Sequence, residues 1–484
     1  MFIENPQIWA ASLFGKADLN DSRRTKRLVK LAGDMAAQTG HSIVRASQDP
    51  GSIEGAYRFI RNEAIKPEDI AEAGFKQTDQ IVSQRRQVLA IQDTTGLSYR
   101  HSIVNELGEV SSAKAKCHNP KGRSLYVHST LMLDTDSEEV LGLSNQHYFY
   151  RETKNKGKKG RLQNRPIEEK ESYKWQRNIK EISSRMGTMD NVIDVCDREG
   201  DIYEYLDYQL SESHRFVVRA KDNRKLKQPE GLLADIVENI EPQCHYTLDI
   251  KQKGGRKARQ ATLALSYTQI IINKPKRAKG QNDISVNMIV CQEVGADDVS
   301  EKQGELRSKR KCPGVLRWVL YTTEAIHSVE DAQIIVRYYE LRWRIEEFHK
   351  VWKSDGEHVE SLRMQSRENL KRVAIIKAFI AVRLLQLQDL AQNEESSKSI
   401  PCTAHFSELS WKILWKKVEK QKSIPTSIPS LHWAYYSMAK LGGWYDSKRT
   451  GRVGVKALWS GWLKLMDLVE SFETLKELEI HLNL

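Results

Sequence analysis

The amino-acid sequence predicts an α/β protein whose mixed sheet is flanked by helical domains at both ends. In residues 1–66 and 371–484, apolar side chains recur at helical spacing. Between these two regions, short apolar runs bounded by turn residues alternate with longer helical patterns. The order of three strands, a helix, a strand, a helix and a strand is typical of a mixed sheet with helices packed on it.

The central region, residues 67–370, is predicted to form this α/β core. An insertion at residues 224–312 interrupts it with alternating strand-like runs, and we predict that the insertion is all-β. The α/β pattern then resumes with a strand at residues 317–321 and a long helix from Val329 to Trp352. The earlier core strands are predicted at residues 88–91, 125–133, 140–150, 192–196 and 215–219, with helices at 168–186 and 199–210.

Composition limits the classes of protein to which the chain can belong. The 484 residues include 76 Lys and Arg against 64 Asp and Glu, which gives a net charge of +12 and a pI near 9.2. A chain this basic is expected to bind a polyanion, and nucleic acid is the leading candidate. Its charged residues (29%) and hydrophobic residues (39%) exclude collagen-like and wholly disordered chains.

The sequence contains neither a typical membrane-spanning segment nor a cysteine pattern typical of a metal site. No run of about 18 apolar residues is present, so we expect no membrane partner and a cytoplasmic location. The most apolar segment, residues 374–385, is interrupted by Lys377 and Arg383, which indicates a buried or partner-facing helix. The six cysteines form no C-x-x-C pair, so reduced thiols are expected rather than a structural zinc site.

Two clusters of cations lie in the N-terminal helical region. We interpret them as a small module that grips DNA phosphates, with Tyr57 or Phe59 as a stacking or packing aromatic side chain. A solvated basic helix face is the alternative. The first cluster comprises Arg23, Arg24, Lys26 and Arg27, and the second comprises Arg58 and Arg61.

Two further stretches of the chain are basic. Residues 251–280 contain nine Lys or Arg and no acidic residue. A run of one sign on predicted β-strands favours a nucleic-acid contact, with a loosely ordered solvated loop as the alternative. Residues 151–165 are also basic and contain glycines, and we interpret them as a mobile loop.

Two acidic residues, Asp93 and Asp197, directly follow predicted core strands. A carboxylate at the end of a strand often serves function, because the strand fixes the backbone while the side chain projects toward an open rim. An Asp after a strand is also a common turn former or helix N-cap. Both interpretations remain open for each residue taken alone.

The helix predicted from Val329 to Trp352 has an unusual polar face. At about 100° per residue, five polar side chains fall within about 80° of one another. One carboxylate among three cations and a phenol suits a phosphodiester beside a metal ligand, although an ordinary amphipathic helix with a Glu346–Lys350 ion pair is the alternative. The five are Tyr339, Arg342, Glu346, Lys350 and Lys353, and the apolar face comprises Leu341, Ile345, Phe348 and Trp352.

Three carboxylates on separate elements suit a hard divalent cation, which prefers oxygen ligands with room for water and phosphate. We therefore expect Asp93, Asp197 and Glu346 to hold two ions about 3.5–4 Å apart for phosphodiester chemistry. Mg²⁺ is the expected ion, and Mn²⁺ should substitute for it. Cations on the same helix face would orient and neutralise the phosphates. No nucleotide-binding loop, nucleophile elbow or His-Glu-x-x-His pattern competes with this chemistry.

The spacing of Tyr339, Arg342, Glu346 and Lys353 is Y-x2-R-x3-E-x6-K. Together with several other stretches, this motif resembles those of bacterial cut-and-paste transposases of the insertion-sequence-four family. The resemblance extends over almost the whole chain. The other stretches are residues 54–62, 93–95, 195–199, 344–350, 441–443 and 446–451.

The resemblance implies a ribonuclease H-like catalytic core between an N-terminal end-DNA-binding domain and a C-terminal helical dimerisation domain. Asp93, Asp197 and Glu346 match the acidic triad of the family, which holds the metal ions. Cleavage and joining of DNA are the activities that such a triad implies.

DNA-contacting residues can also be carried over from the family, position by position. Tyr339, Arg342 and Lys353 match the residues that hold DNA near the scissile end. Trp318 matches a tryptophan that stacks on a flipped base during hairpin formation, with a buried core Trp as the alternative. Two further DNA contacts are matched by Arg219 and Lys221.

The resemblance further implies a reaction in four steps: nicking, hairpin formation, hairpin opening and strand transfer into target DNA. The expected partners are double-stranded DNA, as element ends and as target, and a second copy of the chain in a bacterial cytoplasm. Two other functions remain open. One is a DNA-binding, dimerising repressor without turnover, and the other is a metal-dependent nuclease or resolvase.

Overall fold

The chain folds as two compact units in the computed structural model. The first unit comprises Met1–Gln84, Thr94–Asn155 and Ile345–Leu484, and the second comprises Arg85–Asp93 and Lys156–Arg344. The structure describes residues 5–47, 49–109, 123–151, 165–250, 259–276, 278, 282–294, 316–392, 394–420, 422–445, 447 and 453–477.

Three sequence predictions fall wholly or partly on residues outside the described ranges. They concern most of the basic stretch at 151–165, part of the basic stretch at 251–280, and most of the motif at 446–451. The predicted boundaries of three domains also stay a prediction, since the two compact units divide the chain at other places.

Twelve strands lie in the described residues, and several are longer than predicted. The strand that begins at Val88 runs through Asp93 to Tyr99, so Asp93 is not the strand end that the sequence indicated. The strands are β1 Val88–Tyr99, β2 Gly108–Glu109, β3 Arg123–Asp134, β4 Val140–Phe149, β5 Val192–Cys196, β6 Arg215–Arg219, β7 Lys225–Gln228, β8 Gly231–Leu232, β9 Cys244–Ile250, β10 Arg259–Ile272, β11 Ile284–Val294 and β12 Arg317–Thr322.

Helices dominate the N-terminal and C-terminal regions, as the apolar spacing predicted. None of those in the described part of the chain is long and apolar enough to span a bilayer. The helices are α1 Pro6–Phe14, α2 Ser22–Ala37, α3 Ile43–Ser47, α4 Pro50–Ile60, α5 Pro67–Val82, α6 Tyr173–Met186, α7 Tyr203–Ser211, α8 Leu233–Asn239, α9 Val329–Leu341, α10 Trp343–Lys350, α11 Arg367–Gln392, α12 Glu394–Ser399, α13 Glu408–Val418, α14 Leu431–Leu441 and α15 Val455–Glu477.

The second unit contains a mixed sheet with parallel pairing on one side and antiparallel pairing on the other. β1 pairs in parallel with β5, and β5 pairs in parallel with β6. β12 lies antiparallel to β6, and β11, β10, β7 and β8 follow in that order, with β9 on β10. The paired residues of β1 and β5 are buried, as expected for parallel strands that are covered on both faces.

The insertion at residues 224–312 differs from the prediction in two ways. It contains the helix α8, so it is not all-β. Its strands also continue the core sheet, because β11 pairs antiparallel with β12 from Asn287 opposite Thr322 to Gln292 opposite Arg317. This pairing satisfies backbone groups that a separate sheet would leave at an open edge of β12.

The basic stretch at 251–280 does not place its described cations along a strand. Within β10, only Arg259, at the first position, is basic. Lys274 and Lys276 follow after the strand has ended, and the backbone N–H of Lys274 donates to Asp283 Oδ1 at 3.0 Å. The prediction of a cationic run on β-strands is therefore wrong for the described part of this stretch.

In the first unit, the second half of β1 lies beside β3, and β3 pairs antiparallel with β2 and β4. Helix α11 attaches the N-terminal helices to this unit. The ring of Phe379 occupies the space over Gly74, where a Cβ would lie 2.2 Å from it. The buried Arg372 donates to the carbonyls of Ile65 at 2.6 Å and Ile60 at 3.0 Å. The predicted burial of this helix is confirmed.

The two cations that interrupt the apolar run of α11 are buried and have partners within the first unit. Lys377 Nζ donates to the carboxylate of Glu357 and to its backbone carbonyl, both at 2.8 Å. The guanidinium of Arg383 lies 5.5 Å from the ring centroid of Trp9, and burial lowers its pKa to about 10. A buried charge is tolerated inside a fold when it is paired, as that of Lys377 is.

We predict that Lys377→Met destabilises the first unit by about 3–5 kcal/mol, because it leaves the Glu357 carboxylate buried without its cation. Thermal and urea denaturation followed by circular dichroism would measure the loss. Lys412→Met is the matched control, since Lys412 and Glu408 form an exposed ion pair on α13 and its removal should leave the denaturation midpoint unchanged. Equal midpoints for both variants would contradict the prediction.

Candidate active site and nucleic-acid interface

The sheet of the second unit aligns two of the predicted acidic residues. β1 and β5 pair from Val88 opposite Val192 to Ile91 opposite Val195. Continuing this register by two residues places Asp93 opposite Asp197. β1 itself continues, but β5 ends at Cys196, so the parallel pairing stops where the two carboxylates stand. Both side chains are half-buried.

Asp197 also has the local role that the sequence left open. Its Oδ1 accepts a hydrogen bond from the backbone N–H of Glu199 at 2.8 Å and caps the short turn Arg198–Gly200. The cap explains why the strand stops at this residue. A capping carboxylate still has lone pairs available for a second ligand.

Glu346, the third predicted acid, belongs to the first unit. It is half-buried on α10, where the neighbouring Ile345 and Phe348 are fully buried. Its place in a triad with Asp93 and Asp197 stays a prediction. In the part of the chain that the structure describes, no group of three or more His, Cys, Asp or Glu side chains could hold a metal ion.

The long helix predicted from Val329 to Trp352 is interrupted. It begins after a capping box, in which Ser328 Oγ accepts from the Asp331 N–H and the Asp331 carboxylate accepts from the Ser328 N–H. α9 ends before Arg342, α10 follows, and residues Val351–Asp355 form a π-helix. The predicted apolar face is nevertheless confirmed, because all four of its members are buried: Leu341, Ile345, Phe348 and Trp352.

Tyr339 is the exception on the polar face. It is only 5% exposed, so the prediction that it is presented with the cations is wrong. Its ring packs edge-to-face against Trp318, with centroids 5.4 Å apart. The guanidinium carbons of Arg219 and Arg342 each lie 5.9 Å from the Tyr339 centroid. Aromatic and cation–π contacts of this kind offset the loss of solvent around the phenol ring.

Four predicted DNA contacts therefore meet within the second unit. Trp318 is half-buried near the start of β12, so it is not a fully buried core tryptophan. Arg219 ends β6, and its Nη2 donates to the carbonyl of Arg317 at 2.9 Å. With Arg342 and Tyr339 they form a cationic and aromatic cluster.

Lys221 follows this cluster on an anchored loop. Its side chain is exposed, while its backbone N–H donates to Asp201 Oδ2 at 2.7 Å. The same carboxylate accepts from the Asp222 N–H at 3.0 Å and is paired with Arg224. Asp201 is buried, so its ion pair fixes the backbone that presents Lys221.

Lys353 lies in the first unit beside the strand that carries Asp93. Its Nζ donates to the carbonyl of Gly96 at 2.7 Å and lies 3.5 Å from both Thr95 Oγ1 and Glu360 Oε1. The place of this cation in the site stays a prediction. Lys350, on α10, is exposed.

The N-terminal cations are mostly exposed, but several have partners within the helical module. Phe59 is buried, so it is a packing aromatic, whereas Tyr57 is half-buried beneath the Arg61 guanidinium. The Arg27 guanidinium lies against Gly55 and joins α2 to α4. Three more contacts are Arg23 with Asp21, Arg24 with the carbonyl of Leu19, and Arg58 with Glu54, while Lys26 is exposed.

A buried carboxylate that the sequence reasoning missed lies in the same strand as Asp197. Asp194 is 1% exposed in the middle of β5. Burial raises its pKa to about 7, although hydrogen bonds from Gln92 and Cys196 oppose the shift. The available signal was an acidic residue inside the apolar run from Val192 to Cys196.

We predict that Asp194→Asn changes the pH dependence of folding. An unfolded Asp titrates near pH 3.9, so the contribution of Asp194 to the free energy of unfolding falls as pH rises from about 4 to about 7. The Asn variant lacks this decline. Its free energy of unfolding should therefore rise relative to that of the wild type between pH 4 and pH 7, and the difference should stay constant at higher pH. Urea denaturation of both proteins at several pH values measures this difference. His214 is present in both proteins, so its contribution to the difference cancels. Parallel curves would contradict the shift.

Comparison with protein families agrees with the chemistry expected of this site. Residues 6–65 match the model for a transposase DNA-binding domain, and residues 190–383 match the model for a transposase DDE domain. The first match contains both clusters of N-terminal cations. The second contains Asp197, Glu346 and the cluster around Tyr339, and begins after Asp93.

The DDE domain implies a ribonuclease H-like fold, and the mixed sheet of the second unit is consistent with it. DNA is the partner that the two matched domains indicate together. Their presence in one chain supports its assignment as a DDE transposase.

Proposed function

We propose that this protein is a cut-and-paste transposase of the insertion-sequence-four family, which excises its own mobile element and inserts it into target DNA. The observation that carries the proposal is the register of β1 and β5, which aligns Asp93 with Asp197. Two half-buried carboxylates where parallel pairing ends suit a metal-dependent reaction on a phosphodiester better than they suit a binding role alone.

The carboxylates also suit the divalent ions of such a reaction. Asp93 and Asp197 would supply hard oxygen ligands, and Glu346 is proposed as the third side chain. Mg²⁺, or Mn²⁺ in its place, would be held as a pair of ions. When bound, the ions would activate the attacking oxygen and stabilise the leaving oxygen.

The surrounding side chains would then position the DNA. Lys353, already hydrogen-bonded to the Gly96 carbonyl, would hold a phosphate close to the strand that carries Asp93. Arg219 and Arg342 would neutralise phosphates beside Trp318, whose ring would receive a base turned out of the duplex during hairpin formation. Nicking, hairpin formation, hairpin opening and strand transfer would follow one another at this site.

The N-terminal module is proposed to bind the terminal ends of the element. Its exposed cations lie on and next to the helices α2 and α4, where they could contact phosphates along one face of a duplex. A homodimer that pairs two ends, with the C-terminal helices as its contact, completes the proposal.

We predict that Asp93→Asn abolishes cleavage of a DNA fragment carrying the element end, while its affinity for that end stays within about threefold, because only the metal ligand is lost. Gel analysis of cleavage in Mg²⁺ and a binding titration would test this. Asp190→Asn is the matched control, because Asp190 is an exposed acid just before β5, at the opposite end of the strand from Asp197.

The products of this assay also separate the possible functions. Cuts at the element boundary with hairpinned DNA support the transposase, whereas degradation without a preferred position would indicate a nuclease or resolvase. Binding without any cleavage by the folded wild-type protein would indicate a repressor. Loss of binding in Asp93→Asn would show that Asp93 has a structural role instead.

We predict that Lys26→Ala weakens binding of the element end and reduces the slope of log affinity against log salt by about 0.9, the value for one lost phosphate contact. Fluorescence anisotropy at several salt concentrations would measure the slope. Lys76→Ala provides the control, since Lys76 is exposed on α5 and paired with Glu72. An unchanged slope for Lys26→Ala would place that residue away from DNA.

A further inference from the structure

A polar network lies inside the second unit, next to the point where the parallel pairing of β1 with β5 ends. At its centre is the carboxylate of Asp194, whose Oδ1 accepts from Gln92 Nε2 at 2.8 Å. Its Oδ2 accepts from Gln209 Nε2 at 2.8 Å and from the hydroxyl of Tyr205. All these side chains are buried, and a carboxylate in such a place needs several donors to remain in the fold.

The network connects three elements of the second unit. Gln92 belongs to β1, Asp194 to β5, and Tyr205 and Gln209 to α7. Gln209 Oε1 also lies 3.0 Å from His214 Nδ1, which fixes the orientation of its amide. The two donors on α7 hold the carboxylate in place, and the donor on β1 links it to the neighbouring strand.

The hydrogen bond between Gln92 and Asp194 lies close in sequence to both proposed metal ligands. Gln92 is the residue directly before Asp93, and Asp194 stands three residues before Asp197. Successive side chains of a strand point to opposite faces, so holding the Gln92 side chain also fixes the direction in which Asp93 projects. Backbone pairing alone leaves some freedom to twist at Asp93 and Asp197, which lie two residues beyond the last pair, Ile91 with Val195.

We propose that Gln92 and Asp194 are positioning residues, whose buried hydrogen bond sets the relative placement of the Asp93 and Asp197 carboxylates and thereby their affinity for a divalent ion. This inference rests on the proposed function, in which those two carboxylates are metal ligands. Groups that orient metal ligands without touching the ion commonly change metal affinity by about 10–100-fold.

The network contains its own matched control. Gln92 and Gln209 are both fully buried, and each donates to the same carboxylate at 2.8 Å. Gln92→Met and Gln209→Met each remove one of these hydrogen bonds, and Gln209→Met also loses the contact with His214. A purely structural role therefore predicts an effect of Gln209→Met at least as large as that of Gln92→Met. Only Gln92 is attached to a strand that carries a proposed ligand, so only its replacement should disturb the site.

The test measures Mn²⁺ binding to the full-length protein from the paramagnetic resonance signal of free Mn²⁺, alongside the melting temperature. Asp93→Asn identifies the part of the binding that belongs to the site. We expect Gln92→Met to weaken this component about tenfold and Gln209→Met to leave it within about twofold, even where Gln209→Met lowers the melting temperature as much. Equal Mn²⁺ affinities in the two variants would overturn the inference.

Two other outcomes can be distinguished from failure of the positioning role: a variant that does not fold, and a protein that lacks the proposed function. If Gln92→Met does not fold, Gln92→Asn carries the same test, because its shorter amide cannot reach Asp194. Wild-type protein that binds Mn²⁺ through Asp93 but does not cut the element end would refute the transposase and leave the positioning role intact. Wild-type Mn²⁺ binding that does not depend on Asp93 would overturn both.

Discussion

The parallel pairing of β1 with β5 is the constraint on which the proposed chemistry depends. A slip of one residue would turn the side chains of β1 to the opposite face of the sheet and carry the Asp93 carboxylate away from Asp197. Apolar side chains oppose that slip, because Val88–Ile91 is an uninterrupted buried run. A slip would bring a polar neighbour of this run into a buried position, which costs free energy. Packing in the core therefore fixes the register that brings Asp93 opposite Asp197.

Local patterns were sufficient to predict some of the elements that carry the site. β5 and β6 have the predicted bounds, because each is a short apolar run between turn residues. The alignment of Asp93 and Asp197 follows from the same runs, since neighbouring parallel strands bring equivalent positions to one edge. The apolar face of α9 and α10 was also correct, because it depends only on the helical period.

Features that depend on distant partners were not predictable from these patterns. Tyr339 lies among polar positions on the helical period, but the ring of Trp318, on another element, covers it. The insertion joins the core sheet because β12 has a free edge, which no property of residues 224–312 alone could indicate. The partners of Asp194 come from β1 and α7, so its burial is visible in sequence only as one acid within an apolar run.

Both units place buried charges close to segments with proposed functions, although apolar residues would be the more stable choice in many such positions. An aliphatic side chain at position 194 would match its neighbours Ile193 and Val195 and avoid the cost that raises the pKa of Asp194. Apolar contacts, however, are non-directional and allow small displacements within a given register, whereas a short hydrogen bond does not. In the first unit, Lys377 and Glu357 similarly hold the backbone just after Lys353. In each case burial of the charged group costs desolvation free energy, and its hydrogen bonds fix the position of a segment next to a proposed site residue.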